Sequence, residues 1–284
     1  LDKRAVGKEG VFINNLLLGN YNTDSDAASD LYASEPNDVR YKMLKHRVRK
    51  KLYNNLFFID NKKLRLKDYY QKEQECIALL HQAYILLRHN ELELVLSLSS
   101  RVFSIAEKYD FTNMSVASLE LELLCYSESG ALKKFTASKR SLESVLRKKR
   151  LEVEGVSLFQ FVKVTLKKSV KLRKAFLPKL HQTIERLHRI WILSNTFEAF
   201  NSYYKAYLAY YEMEGDFSKI IELTVLSEKW VSEGKVNPLR FESSFNKFMI
   251  VYAHLRAKQL EEGLLYAERY LGSFETNTLN WFSY

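Results

Sequence analysis

The sequence predicts an all-α protein, an α-α superhelix (solenoid) of about five irregular helical hairpins preceded by N-terminal helices. Three observations carry this. Only three prolines and nine glycines occur in 284 residues, and they separate helix-length stretches of mixed apolar and charged character. A ten-residue pattern, clearest at residues 211–220 (YEMEGDFSKI), places a polar turn before a large apolar residue at its seventh position. It recurs from Leu86, Tyr126, Val170 and His254, so the anchors Leu92, Leu132, Phe176, Phe217 and Leu260 stand 40, 44, 41 and 43 residues apart. Spacing this regular is the mark of repeated helical hairpins, each anchor opening the second helix and packing back on the first.

Residues 1–71 do not fit the repeat and read as a helical lead-in. It comprises one amphipathic helix, a polar linker at residues 21–30 (YNTDSDAASD), and a long basic helix from about residue 35 to 60. Leu44, Val48, Leu52, Leu56 and Ile59 make the apolar stripe of that helix, with Arg40, Lys42, Lys45, Arg47, Arg49, Lys50 and Lys51 around it. The stripe is expected to dock on the first hairpin while the cations stay solvated.

Residues 72–284 hold the repeats. Two stretches have strand-like composition, residues 91–100 (ELELVLSLSS) and 156–166 (VSLFQFVKVTL). Leucine fills most apolar places in the first, and in the second Leu158, Phe161, Val162, Thr165 and Ser169 follow helical spacing, so both are assigned to helices. Pro36, Pro178 and Pro238 each suit the first turn of a helix, and Gly215 with Asp216 reads as a helix stop followed by an N-cap. The closing residues are apolar and aromatic, a pattern that predicts further helices after Tyr284.

In residues 203–230 and 245–271 the chain resembles the tetratricopeptide-like superfamily of α-solenoids. The likeness rests on the turn Tyr211, Gly215, Phe217 and on the run from Glu261 and Glu262 to Ala267. The period near 42 departs from the ~34 residues of a tetratricopeptide repeat and approaches the ~40–47 of HEAT-type repeats. The resemblance implies a protein-interaction scaffold. Family domains that clamp a terminal carboxylate use lysine, asparagine and arginine on successive helices; Asn201 and Lys205 stand one turn apart, but no matching set accompanies them.

Charge is uneven. Of the net +10, residues 1–70 carry +5, 71–190 carry +8 and 191–284 carry −3. The basic part would attract acidic protein segments, nucleic acid or an anionic membrane surface. Within it, Lys163, Lys167, Lys171 and Lys174 are expected on one helix face, a ridge of like charges that an anionic partner would relieve. The acidic third holds 20 of the 38 aromatic residues. Its Tyr203, Tyr207 and Tyr210 form one helical stripe and Tyr204 and Tyr211 another, too many for one side, so one stripe is expected to face a groove. Tyr204, Lys205 and Tyr211 join the four lysines as candidate partner-binding residues.

Signatures of catalysis are weak. No phosphate-binding glycine loop, dinucleotide fingerprint, nucleophile elbow or HExxH motif occurs. His181, Glu185 and His188 share a helical face, but one ExxH pair without a second, and histidines ~10 Å apart along the axis, do not make a metal centre. Cys76 and Cys125 form no CxxC pair and fit a reducing compartment, the cytoplasm. No uncharged apolar run approaches the ~18 residues of a membrane span. The expected function is therefore contact without catalysis, cofactor or metal: a scaffold or regulatory segment that binds a partner polypeptide, an acidic one suiting the basic face. A basic module that binds RNA or DNA backbone is the alternative.

Overall fold

The computed structural model describes residues 7–56, 66–167 and 170–274, and of residues 56 and 170–174 the backbone alone. The described chain is helical throughout, and it divides into two compact units, Leu1–Leu66 and Lys67–Tyr284. No helix among the described residues is long and apolar enough to cross a membrane.

The first unit packs α1 (Lys8–Leu17), α2 (Asp24–Tyr32) and α3 (Val39–Leu56) about Phe12, Ala27, Ala28, Leu31, Tyr41, Leu44 and Val48. The expected linker is in fact α2. Thr23 caps it by a reciprocal box, its hydroxyl accepting the Asp26 N–H at 3.3 Å while the Asp26 carboxylate accepts the Thr23 N–H at 2.8 Å. Small Ala27 and Ala28 then bring α2 close to α3. The inner stripe of α3 is Tyr41, Leu44 and Val48, buried against α1 and α2; Leu52 is exposed, and the side chain of Leu56 and the whole of Ile59 lie outside the described residues. Several cations of α3 are paired: Lys45 with Asp24 at 2.6 Å, and Arg47 with Glu9 at 3.1 Å.

The second unit runs α4 (Asp68–Arg88), α5 (Leu92–Tyr109), α6 (Thr112–Glu128), α7 (Leu132–Leu166), α8 (Val170–Ser194), α9 (Phe197–Glu214), α10 (Phe217–Ser232), α11 (Ser243–Arg256) and α12 (Leu260–Tyr270). Consecutive helices pair in sequence, as in a solenoid, and α7 also packs on α9. The turns repeat closely. Asn90, Gly130, Gly215 and Lys258 adopt φ of 60°, 66°, 78° and 62°, each two residues before the helix that opens at Leu92, Leu132, Phe217 or Leu260. Asp110 and Asn195 do the same ahead of α6 and α9. A single left-handed residue reverses the chain, which asparagine, aspartate and glycine tolerate and lysine does only at a cost.

Four of the five expected anchors thus open a second helix. Phe176 does not: it lies inside α8, as does Pro178. α7 runs for 35 residues to Leu166 and α8 begins at Val170, so one helix has ended and the next has begun ahead of the expected turn. Pro36 and Pro238 occupy turns ahead of α3 and α11 rather than their first helical turns. Nor do all anchors pack inward. Phe217 is buried and Leu92 half-buried, but Leu132 and Leu260 are 74% and 64% exposed, so the geometry that repeats lies in the turn rather than in the anchor.

Both strand-like stretches are helical. In α5, Val95, Ser99, Val102 and Ala106 form the buried row at i, i+4, i+7 and i+11, which leaves Leu94 outside. Residues 156–166 end α7, with Val162 and Thr165 inward. One core joins α4, α5 and α6 around Leu80, Val95, Val102 and Leu121, together with the free, buried Cys76 and Cys125. Burial pushes the Cys76 thiol up to about 11. A larger, aromatic core joins α7 to α11 around Leu187, Trp191, Phe200, Ile220 and Leu223. Gly155 lets α8 approach α7, since a Cβ there would stand 3.2 Å from Ile190 Cγ2.

Candidate functional site

α9 begins where Thr196, in extended conformation, accepts the Ala199 N–H at 3.4 Å, and it ends at Gly215. Tyr203 and Tyr210 turn inward, and so does Tyr204, because α7 and α8 cover one side of α9 while α10 and the chain leading into α11 cover the other. The two expected tyrosine stripes are therefore both largely packing. Tyr204 is 4% exposed, and its hydroxyl donates to Asn246 Oδ1 at 2.8 Å while Asn246 Nδ2 donates to the Thr224 carbonyl at 3.0 Å. Burial raises its phenol, and it raises Tyr203 to about 12. Tyr211 is half-buried, its ring 4.4 Å from that of Tyr207.

One edge of α9 remains open and carries Asn201 and Lys205, with the Tyr204 ring between them. It forms a wall of a groove of about 290 Å³, closed by Tyr69 and Tyr70 of α4, by Phe241 just ahead of α11 and by Phe245 in its first turn. The rings of Tyr69 and Tyr70 stand 4.1 Å apart, and Phe241 lies 6.0 Å from Phe200 and 6.1 Å from Tyr204. Lys205 is exposed and makes no ion pair among the described residues, and neither does Glu73 opposite, whereas Glu242 is held by Lys67 at 2.7 Å.

The floor of the groove is Arg240, supplied by the loop of residues 233–242. Val236 anchors that loop in the core, and Asn237 Nδ2 donates to the Lys108 carbonyl at 3.0 Å. Arg240 Nη1 then donates to the Asp110 carbonyl at 3.0 Å, and Nη2 pairs with Glu198. The guanidinium lies 4.6 Å over Phe197, 5.3 Å over Phe111 and 5.8 Å over Tyr69, with the side chain only 10% exposed. Such stacking of a desolvated cation on ring faces is favourable by ~0.5–2 kcal/mol per contact. Asp110, whose carboxylate accepts the Phe197 N–H, has its pKa raised by burial, with Arg240 partly offsetting the shift.

Of the residues predicted to bind a partner, Tyr204 and Lys205 line this groove and Tyr211 does not. The expected lysine ridge is divided: Lys163 is in the last turn of α7 and Lys167 caps it, while Lys171 and Lys174 belong to α8, their side chains outside the described residues. Lys163 lies 5.7 Å over the Phe159 ring. His181 reaches Glu185 at 3.4 Å, and His188 packs 4.9 Å from Tyr203, where burial lowers its pKa. Among the described residues no three His, Cys, Asp or Glu side chains are disposed to hold a metal ion. Sequence reasoning missed Arg240, Glu198, Tyr69 and Phe241. Only Pro238, which marks a turn there, hinted at the loop, and nothing local shows that it reaches across to Asp110.

In comparisons with known proteins, no family model, curated protein or solved structure matches the chain.

Proposed function

We propose that the chain is a protein-interaction scaffold that holds a partner polypeptide in the groove between α4, α9 and the start of α11, acting by contact rather than by catalysis. One observation carries this reading: a groove walled by aromatic rings also presents an amide, Asn201, and an ammonium, Lys205, neither engaged within the described chain. An extended segment would lay a backbone amide on Asn201, an acidic group on Lys205 and an apolar side chain on the rings, the combination that concentrates binding energy in a few contacts. The resemblance to tetratricopeptide-like repeats supports the reading, since repeats of helical hairpins build continuous binding surfaces. The test is affinity capture, after nuclease treatment, with wild type and with the Asn201→Ala, Lys205→Glu double variant. A partner retained by wild type and weakened at least about tenfold by the variant is expected. Equal capture by both would move binding elsewhere.

The nucleic-acid reading draws on α7, which carries nine basic and three acidic residues. Lys133, Arg140 and Arg147 recur along it at seven-residue intervals, exposed and unpaired among the described residues. Binding to generic RNA or DNA that falls steeply with salt, and flattens when these three are changed to glutamine, would favour it.

A further inference from the structure

Behind Arg240 lies a small cavity of about 50 Å³ that shares Glu73, Glu198 and Arg240 with the groove and is closed by Asp110 and Glu152. Four carboxylates thus surround a space large enough for a group the size of a water molecule, whose share of liquid volume is ~30 Å³. Charge here is not balanced. Arg240 pairs with Glu198, and Lys149 reaches Glu152 Oε1 at 3.0 Å from the other side. Glu73 and Asp110 have no ion pair among the described residues. Glu152, its side chain 5% exposed, keeps Oε2 buried without a hydrogen-bond partner. A buried carboxylate oxygen in that state is costly unless a donor reaches it. The adjoining groove, moreover, is lined by the rings of Tyr69 and Phe197, which already receive one cation, Arg240.

Resting on the groove as the binding site, we infer that the partner segment inserts a lysine, its aliphatic stem against Tyr69 and Phe197 and its ammonium among Glu73, Glu198 and Glu152. The ammonium suits the site by size, being more compact than a planar guanidinium in a cavity of about 50 Å³. It suits it by chemistry as well, because three rotatable donors can serve acceptors too scattered to ligate a metal ion. Glu73 selects the cation from one wall and Lys205 an anion from the other, so the segment recognised carries both signs.

The experiment compares blocked pentapeptides, Ala-Leu-X-Leu-Ala, with X as lysine, acetyl-lysine, glutamate or arginine, titrated against the whole chain and followed by protein NMR. The lysine peptide is expected to bind at least about tenfold more tightly than the acetyl-lysine peptide, a difference of ~1.4 kcal/mol. Glu73→Gln is expected to bring the two within about threefold, and Glu152→Gln to do the same while keeping the fold. An acetyl-lysine or glutamate peptide that binds as well as lysine overturns the inference and leaves the groove reading intact. Arginine equal to lysine overturns the size argument and with it the cavity as the ammonium site. No saturable binding of any peptide below ~10 mM overturns both.

Discussion

Replacing Tyr204 by phenylalanine separates a packing role from a binding role at the residue where the sequence pointed to binding. The ring would stay in place, but its hydroxyl donates to Asn246 Oδ1 at 2.8 Å, and Asn246 is 0% exposed. Its loss leaves an amide oxygen buried without a donor. The penalty for such a group is ~1–3 kcal/mol, and a central value of about 2 kcal/mol lowers Tm by about 4–8 °C in a unit of this size. Calorimetry on wild type and Tyr204→Phe measures it directly. Adding Asn246→Leu removes the orphaned oxygen, so the double variant should be less destabilised than the two single changes sum to, a coupling on the order of 1 kcal/mol. Capture of a groove partner should change by less than about twofold, because the hydroxyl points to α11 and not into the groove. A Tm within about 1 °C of wild type would refute the reasoning, since the network would then carry no stability.

Asp110 titrates with the opposite sign to a paired carboxylate. Burial makes the folded state hold its proton more tightly than the unfolded chain does, so stability falls as pH rises from the ordinary value of 3.8 through the raised folded one. Asp110→Asn, which keeps an oxygen for the Phe197 N–H and suits a left-handed residue, should match or exceed wild type in Tm at pH 7, and the gap should close toward acid; a large loss at pH 7 would contradict this. At the repeated turn, Lys258→Gly relieves a left-handed lysine and should raise stability by up to ~1 kcal/mol, while Gly215→Ala should lower it by about the same amount, both read by urea denaturation. Gly155→Leu should cost at least ~2 kcal/mol by forcing α8 off α7, whereas Gly155→Ala, which asks only a small retreat of Ile190, should stay within about 1 kcal/mol of wild type.

The hairpins were legible because their turns are local. Gly215 and Asp216 stop one helix and start the next within a few residues, and the same geometry at Asn90, Gly130 and Lys258 keeps the register visible in sequence. Where the signal was polarity alone it misled: residues 21–30 look like a linker, yet the Thr23–Asp26 box and two buried alanines make a helix of them. The fifth repeat failed for another reason. A leucine-bearing turn pattern at Val170 is indistinguishable by composition from helix interior, and the length of α7 decides the matter. The groove was only half legible. Lys205 and Tyr204 stood out on their own helix, but Arg240 acquires its role from Asp110, 130 residues earlier, and no periodicity reports a contact of that range.

The length of α7 changes how the second unit must come apart. Arrays of equal hairpins can fray one repeat at a time from either end, because each touches only its neighbours. Here a single rod of 35 residues, about 52 Å at 1.5 Å per residue, lies against α6, α8 and α9 at once. Amide protons from α6 to α9 should therefore exchange through one shared opening, slower than those of α12, and no cut between hairpins in that stretch would release an intact half.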